Sequence, residues 1–384
     1  MLAVGFRVMK LVEENGLSIS ENHTRVKTYN RTKLTVSLLG TALSFLLTFV
    51  VVVTGFSQTV ASFAVSFSGN EYLAFLAFAV IFGILEILFS FPLKFYSSYH
   101  LEHSYSLSNQ SFVRWLWEQM KALLVGVPLA IPLLLIFFYC LESFGDAWWM
   151  PLGVVMFFFT TILARLAPKL LFPLFYEFTP LDRTELKERI SRLCAEAGFH
   201  VDGVFSFNMS KNTKKANAGF TGIGKTKRVI IGDTLLEKFS EDEIEAVLAH
   251  ELGHYRHGHI WKGILLGTVT TFLGLFITSR LYAASLPVFG FERIDELAAL
   301  PLLGLWLGLF GLAISPILNL VSRRHEYEAD RYAVKQSENP SAFVGALNKL
   351  AEMNLADTAP NRVVEFLFYS HPSIEKRIRS AERV

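Results

Sequence analysis

Charge is scarce in this chain. Asp, Glu, Lys and Arg make up 18% of its 384 residues, against about 25% in an ordinary globular domain. With 52% hydrophobic residues there is too little polar surface to face water on all sides, which excludes a plain soluble enzyme. Net charge is only +2, so neither nucleic acid nor a strongly acidic partner is indicated. Cysteine is nearly absent: Cys140 and Cys194 are distant in sequence and stand in no metal-ligand spacing, which excludes a disulfide framework. Met1 to Lys33 lacks a sustained apolar stretch, so no cleavable leader is expected. The chain has no internal repeat and no low-complexity tract.

Apolar length is what the chain has instead. Leu34 to Gly55, Tyr72 to Leu93, Ala122 to Leu141, Ala147 to Ala164, Gly263 to Ser279 and Leu297 to Ser322 are nearly free of charge. Crossing the hydrocarbon takes roughly 17 to 25 residues, so six spans are expected in the lipid bilayer. Basic residues orient them. Arg7, Lys10, Arg25, Lys27, Arg31 and Lys33 precede the first span, and Lys94, Arg114 and Lys121 lie between the second and third. The connections Phe56 to Glu71 and Glu142 to Asp146 carry none. Short loops rich in Lys and Arg stay inside, so both termini are expected in the cytosol. Two polar regions, about Phe172 to His259 and Arg323 to Val384, then fall on that same side and can meet.

Within the first polar region, Arg183 to Ala197 reads as an amphipathic helix and Lys227 to Asp233 as a short strand. Ser240 to His257 reads as a helix with Ser240 as N-cap, and Glu243 three residues on completes a capping box. In the second, Arg323 to Lys335 and Ser341 to Met353 read as helices. The stretch Ala246 to His254 (AVLAHELGH) carries the chemistry. Two His at i and i+4 share a helix face and can reach one Zn2+, with Glu251 beside the metal as a base. A catalytic zinc takes three protein ligands. Ile260 occupies the position where a third His would stand in the extended spacing, so His257 and His259 read as juxtamembrane polar residues. The carboxylate-rich segment Arg323 to Asp330 (RRHEYEAD) is where a third ligand is sought.

Taken in order, these landmarks resemble the CAAX prenyl protease family of integral-membrane zinc peptidases and its bacterial heat-shock relatives. FPLKFYSSYHLEHSYSLSN at Phe91 to Asn109 comes first, then NAGFTG at Asn217 to Gly222 and KRVIIGDTLL at Lys227 to Leu236. The zinc helix follows, then SRRHEYEAD at Ser322 to Asp330 and YSHPS at Tyr369 to Ser373. The resemblance implies His250, His254 and Glu326 as ligands of one Zn2+, and Glu251 as general base. It implies Asp330 as the carboxylate that orients a ligand His, and His371 as a stabiliser of the tetrahedral intermediate. Asn217 would belong to an edge strand that pairs with substrate backbone, and Arg377 would support substrate at the site. Helix geometry agrees on the carboxylates: Glu326 and Asp330 share a face, whereas Glu328 lies about 200° from Glu326 and points away.

The fold class expected is mostly α, a multi-span helical membrane protein with a cytosolic zinc-metallopeptidase domain containing a small β element. Its parts are a cytosolic N-terminal segment (1–33), a four-span bundle (34–171) and the first peptidase part with the zinc helix (172–259). A two-span hairpin (260–322) and the second peptidase part with the third ligand (323–384) complete it. The function expected is zinc-dependent endopeptidase action on peptide or membrane-protein substrates, prenylated CAAX proteins among them. Quality-control proteolysis of the heat-shock type and a non-catalytic membrane scaffold are the alternatives. Transport rests on Glu86 alone, which reads instead as lining a chamber. Six spans, where eukaryotic members have seven, and the absence of a retrieval signal at Ala381 to Val384 point to a prokaryotic inner membrane. The endoplasmic reticulum would be the site in a eukaryote.

The basic-residue asymmetry predicts that single cysteines at Ser210 and Ser373 are shielded from an impermeant reagent on intact cells, whereas cysteines at Asp146 and Glu292 are labelled. Labelling at position 373 from outside would invert the map.

Overall fold

A computed structural model describes residues 19–222, 227–336 and 339–383; residues 1–18 of the expected N-terminal segment lie outside them. The chain opens with α1 (Ile19–Val53), the short α2 (Phe56–Phe67), α3 (Glu71–Phe95), α4 (Phe112–Phe144) and α5 (Trp149–Leu170). A polar part follows, with β1 (Phe178–Pro180), α6 (Thr184–Glu196), β2 (Val204–Phe207), β3 (Ala218–Thr221), β4 (Arg228–Gly232) and α7 (Glu241–Arg256). Then come α8 (His259–Ser285), α9 (Leu300–Gln336), α10 (Pro340–Met353), α11 (Arg362–Phe368) and α12 (Ile374–Ala381). Among the described residues six helical segments, containing α1, α3, α4, α5, α8 and α9, are long and apolar enough to span a membrane. Leu46, Leu88, Leu124 and Leu265 are exposed on them, an arrangement that suits lipid and not water. Both cysteines are free and buried.

The first span stands on a polar helical stem, because α1 begins well before the uncharged stretch at Leu34. Tyr29 Oη and Lys33 Nζ in that stem both donate to Glu102 Oε1 at 2.7 Å, and Lys215 Nζ reaches Glu102 Oε2 at 2.7 Å. One carboxylate thus joins the bundle to the segment leading into β3. Farther into the bundle, Glu86 of α3 accepts from Ser44 of α1 at 2.9 Å and borders a cavity of about 580 Å³ between the first two spans.

The sheet has the order β1-β2-β4-β3. β2 and β4 run parallel, and β1 and β3 flank them antiparallel, so β3 is an edge. Val229 and Ile231 of β4 alternate into the core with Val204 of β2, as a period of two requires. Ile244, Leu248 and Leu252 on α7 recur every fourth residue and share that core with Ile190 and Leu193 of α6. Each is fully buried, worth about 1.5–3 kcal/mol. The expected capping box is present: Ser240 N donates to Glu243 Oε2 at 2.8 Å and Glu243 N to Ser240 Oγ at 3.3 Å.

The expected break between the hairpin and the second peptidase part, at 322/323, falls inside a helix. α9 runs without interruption from Leu300 to Gln336. Arg323 lies within it, its buried guanidinium donating to the carbonyls of Glu365 at 3.0 Å and Tyr369 at 2.5 Å. α7 packs on α9 where two small residues meet. A Cβ on Gly253 would lie 2.9 Å from Cα and 3.1 Å from the carbonyl oxygen of Ala329, so only glycine permits the approach.

That contact makes Gly253→Ala an overpacking substitution. It should cost about 1–3 kcal/mol, read as a lower melting temperature in detergent. Unchanged melting would show that the two helices separate freely.

Candidate metal centre

The approach at Gly253 sets one face of α7 against one face of α9. His250 Nε2 and His254 Nε2 lie 3.2 Å apart. Glu326 brings Oε1 to 3.3 Å from His254 Nε2 and Oε2 to 3.5 Å from His250 Nε2. Donors at 2.0–2.1 Å from a tetrahedral zinc stand about 3.3 Å from one another, so the spacing fits such an ion. Glu326 Oε2 is also buried without a hydrogen-bond partner. A buried carboxylate oxygen in that state is costly, and a cation is the partner it calls for. The electrostatics of His250 agree. Burial alone would push its imidazole down, but the neighbouring carboxylates of Asp330 and Glu326 outweigh this and raise it to about 9. The pocket therefore favours a positive charge at this point.

The rear of the centre is held by charge. Asp330 Oδ1 lies 2.9 Å from His250 Nδ1. Arg377 grips the same carboxylate bidentately, Nε to Oδ2 at 2.9 Å and Nη2 to Oδ1 at 2.6 Å. Asp330 and Arg377 are both buried, and Arg377 Nη1 is 3.6 Å from Glu326 Oε2. Arg377, expected among the residues that meet substrate, is thus turned inward to Asp330. At the open rim, His371 Nε2 stands 3.5 Å from Glu326 Oε1 while its Nδ1 meets Ser370 Oγ at 2.9 Å.

Glu251, half-buried, points towards β3, where a Cβ on Gly219 would come within 3.9 Å of its Oε2. Burial raises its carboxyl above the ordinary value, against the pull of His250 and His254. Asn217 is not part of the cluster. It is exposed at the start of the edge strand, with its carbonyl accepting from Gly232 N at 2.9 Å. The strand is pinned just before it, because Asn354 Oδ1 accepts from Ala216 N at 3.0 Å.

Two readings gain a contact that the sequence did not show. His259, at the start of the fifth span, is buried, with Nδ1 2.9 Å from His254 Nδ1 and Nε2 2.9 Å from Glu328 Oε2. Glu328 does point away from Glu326, as helix geometry requires, but it is engaged through His259. The contact depends on Gly258, whose φ of +67° turns the chain between α7 and α8 so that His259 folds back beneath His254. Helical periodicity, which ends at that turn, cannot register this pairing. The only signal available was a Gly-His pair immediately after α7.

Residues 180–384 match the sequence pattern of peptidase family M48, and residues 15–177 match the CAAX prenyl protease N-terminal region, described as five membrane helices. The chain belongs to peptidase family M48. The protease is 30% identical to an uncharacterized metalloprotease, YhfN, of Bacillus subtilis, over 96% of this chain and 85% of that one. It is 29% identical to CAAX prenyl protease 1 of Saccharomyces cerevisiae, over 80% of this chain and 72% of that one. The crystal structure of S. mikatae Ste24p superposes with a TM-score of 0.83 at 26% identity, covering 94% of this chain and 89% of that one. This is therefore a multi-span membrane metalloprotease with the Ste24p-like fold. Within the matched N-terminal region four helices are long enough to span among the described residues. The fifth element there, α2, has only 12 residues, short of a crossing.

The Asp330–Arg377 pair predicts its own energetics. Arg377→Met strands a buried carboxylate and should cost about 3–5 kcal/mol. Adding Asp330→Asn should return part of that loss, giving a double variant more stable than the sum of the singles predicts. Additive losses in detergent melts would mean the two groups do not depend on each other.

Proposed function

We propose that this protease holds one Zn2+ on His250, His254 and Glu326 and hydrolyses peptide bonds of membrane-associated proteins at the cytosolic face. The observation that carries the reading is the convergence of three ligand residues, with His250 Nε2 3.2 Å from His254 Nε2 and each of these nitrogens 3.3–3.5 Å from an oxygen of the Glu326 carboxylate, and with Glu251 beside them. Two imidazoles and one carboxylate without cysteine match catalytic zinc sites, whereas structural sites are usually closed by cysteine. Bound there, zinc would polarise a scissile carbonyl and lower the pKa of a water to about 7.

The chain's own residues supply the rest. Glu251 takes a proton from the attacking water and delivers it to the leaving amine. Its position against β3 suits this, because a substrate strand paired to that free edge carries its peptide groups past the carboxylate. Asn217 stands where such a strand would begin its pairing. His371, on the rim, faces the centre with Nε2 and can donate to the negative charge that develops on the carbonyl oxygen. Asp330 holds His250 through Nδ1 and leaves its Nε2 lone pair for the metal, and Arg377 fixes Asp330 in turn.

The basic residues around the first two spans support a cytosolic site. The substrate class includes prenylated CAAX proteins, the kind for which the yeast relative is named. Quality-control cleavage of membrane proteins would use the same groups. The likeness to the Bacillus metalloprotease over nearly its whole length supports a prokaryotic inner membrane. A protein prenyltransferase in the source organism would decide between the two substrate sets.

Zinc content and turnover of purified variants test the reading. The wild-type protein should carry one zinc per chain, and a chelator should abolish peptide hydrolysis reversibly. Glu251→Gln should retain the zinc and lose turnover by about 10²- to 10⁴-fold. Turnover near the wild-type level at full zinc occupancy would sink the mechanism.

A further inference from the structure

Every zinc-facing imidazole has a second nitrogen, and what that nitrogen meets fixes the ring's tautomer and orientation. For His250 the partner is the Asp330 carboxylate. For His254 it is another histidine, and the direction of the hydrogen bonds can be worked out. His254 turns Nε2 to Glu326 and His250, so as a ligand it carries its proton on Nδ1. His259 Nδ1, 2.9 Å away, must then accept, which leaves the His259 proton on Nε2. That nitrogen faces Glu328 Oε2 at 2.9 Å, a carboxylate that can only accept when ionised. Only one assignment satisfies all three groups, and it ends on a charge.

We infer that His259, backed by Glu328, is a positioning residue for the proposed zinc ligand His254. The inference rests on the zinc reading above. The ring is held in plane as well as at its edges, because His325 stacks on it at 4.0 Å between centroids and 13° between planes. His259 is also the first residue of α8, the fifth span. Lys262, one turn along that span, lies 3.7 Å from the same Glu328 oxygen. One of the two metal-facing imidazoles is therefore oriented from within the peptidase part, by α9 and α12. The other is oriented by the start of a membrane helix.

Zinc affinity, measured by competition with a chromophoric chelator on purified protein, separates a positioning role from a packing one. His259→Phe keeps a ring to stack on His325 but removes both hydrogen bonds, and should weaken zinc binding by about 10- to 100-fold. His259→Gln can accept with its carbonyl and donate with its amide, and should recover most of that loss. Glu328→Leu, at a half-buried position, should show a smaller loss of zinc affinity, and it serves if His259→Phe does not fold. Wild-type affinity in both His259→Phe and Glu328→Leu would overturn the inference, as would His259→Gln being as weak as His259→Phe. Failure of the zinc reading would look different: wild-type protein without zinc, or Glu326→Ala with its zinc intact.

Discussion

The site exists because two helix backbones touch. Where α7 crosses α9, Gly253 leaves room for Ala329 at a distance no other residue allows. That contact sits three residues from His250 and three from Glu326. Side chains only a few bonds long can then meet from the two helices. The capping box at Ser240 fixes where α7 begins, and its buried Ile244, Leu248 and Leu252 fix its rotation. The contact with Ala329 sets its depth. Move any one of these and the imidazoles no longer face the carboxylate.

Around that crossing, charge is arranged in layers. Asp330 and Arg377 form the rear one, the His250–His254–Glu326 triangle the middle one, and His371 and Glu251 the open side towards β3. The inner pair costs desolvation and returns it only because the geometry is bidentate and the carboxylate's remaining reach goes to His250. Such a pair contributes little net stability and much definition, holding the triangle's rear fixed while its front meets substrate. The edge strand has its own anchorage through Asn354 and the Lys215–Glu102 contact, so strand and helix arrive independently at the same opening.

Much of this was legible in the sequence, and for identifiable reasons. Helical spacing alone places His250 with His254 and Glu326 with Asp330, because i and i+4 residues face the same way whatever surrounds them. Hydrophobic length shows the spans, and the Ser-x-x-Glu pattern shows where α7 starts. What periodicity cannot show is the partner across a gap. Glu328 reads as pointing away from Glu326, which is true of its helix face and silent about His259 beyond it. His259 itself follows a left-handed glycine, where the helical phase is lost. Arg377 lies on another helix altogether, six residues past His371, and only the packing of α12 on α9 turns it inward. α9 runs through the boundary at Arg323 for a related reason: a change in polarity reports a change of solvent, not the end of a helix.

The uninterrupted course of α9 has a mechanical consequence. Leu300 lies at the far end of the last span and Glu326 beside His250 and His254, on one rod, and at 1.5 Å per residue the arm between them is about 39 Å. Tilting such an arm by about 1.5° carries its tip about 1 Å, as far as a catalytic group can stray before rate suffers. Spans adjust tilt to the thickness of the bilayer they cross, and Pro316 gives this one a softer point ten residues short of the carboxylate. A change in the tilt of this span is thereby carried to Glu326 by leverage and not by chemistry.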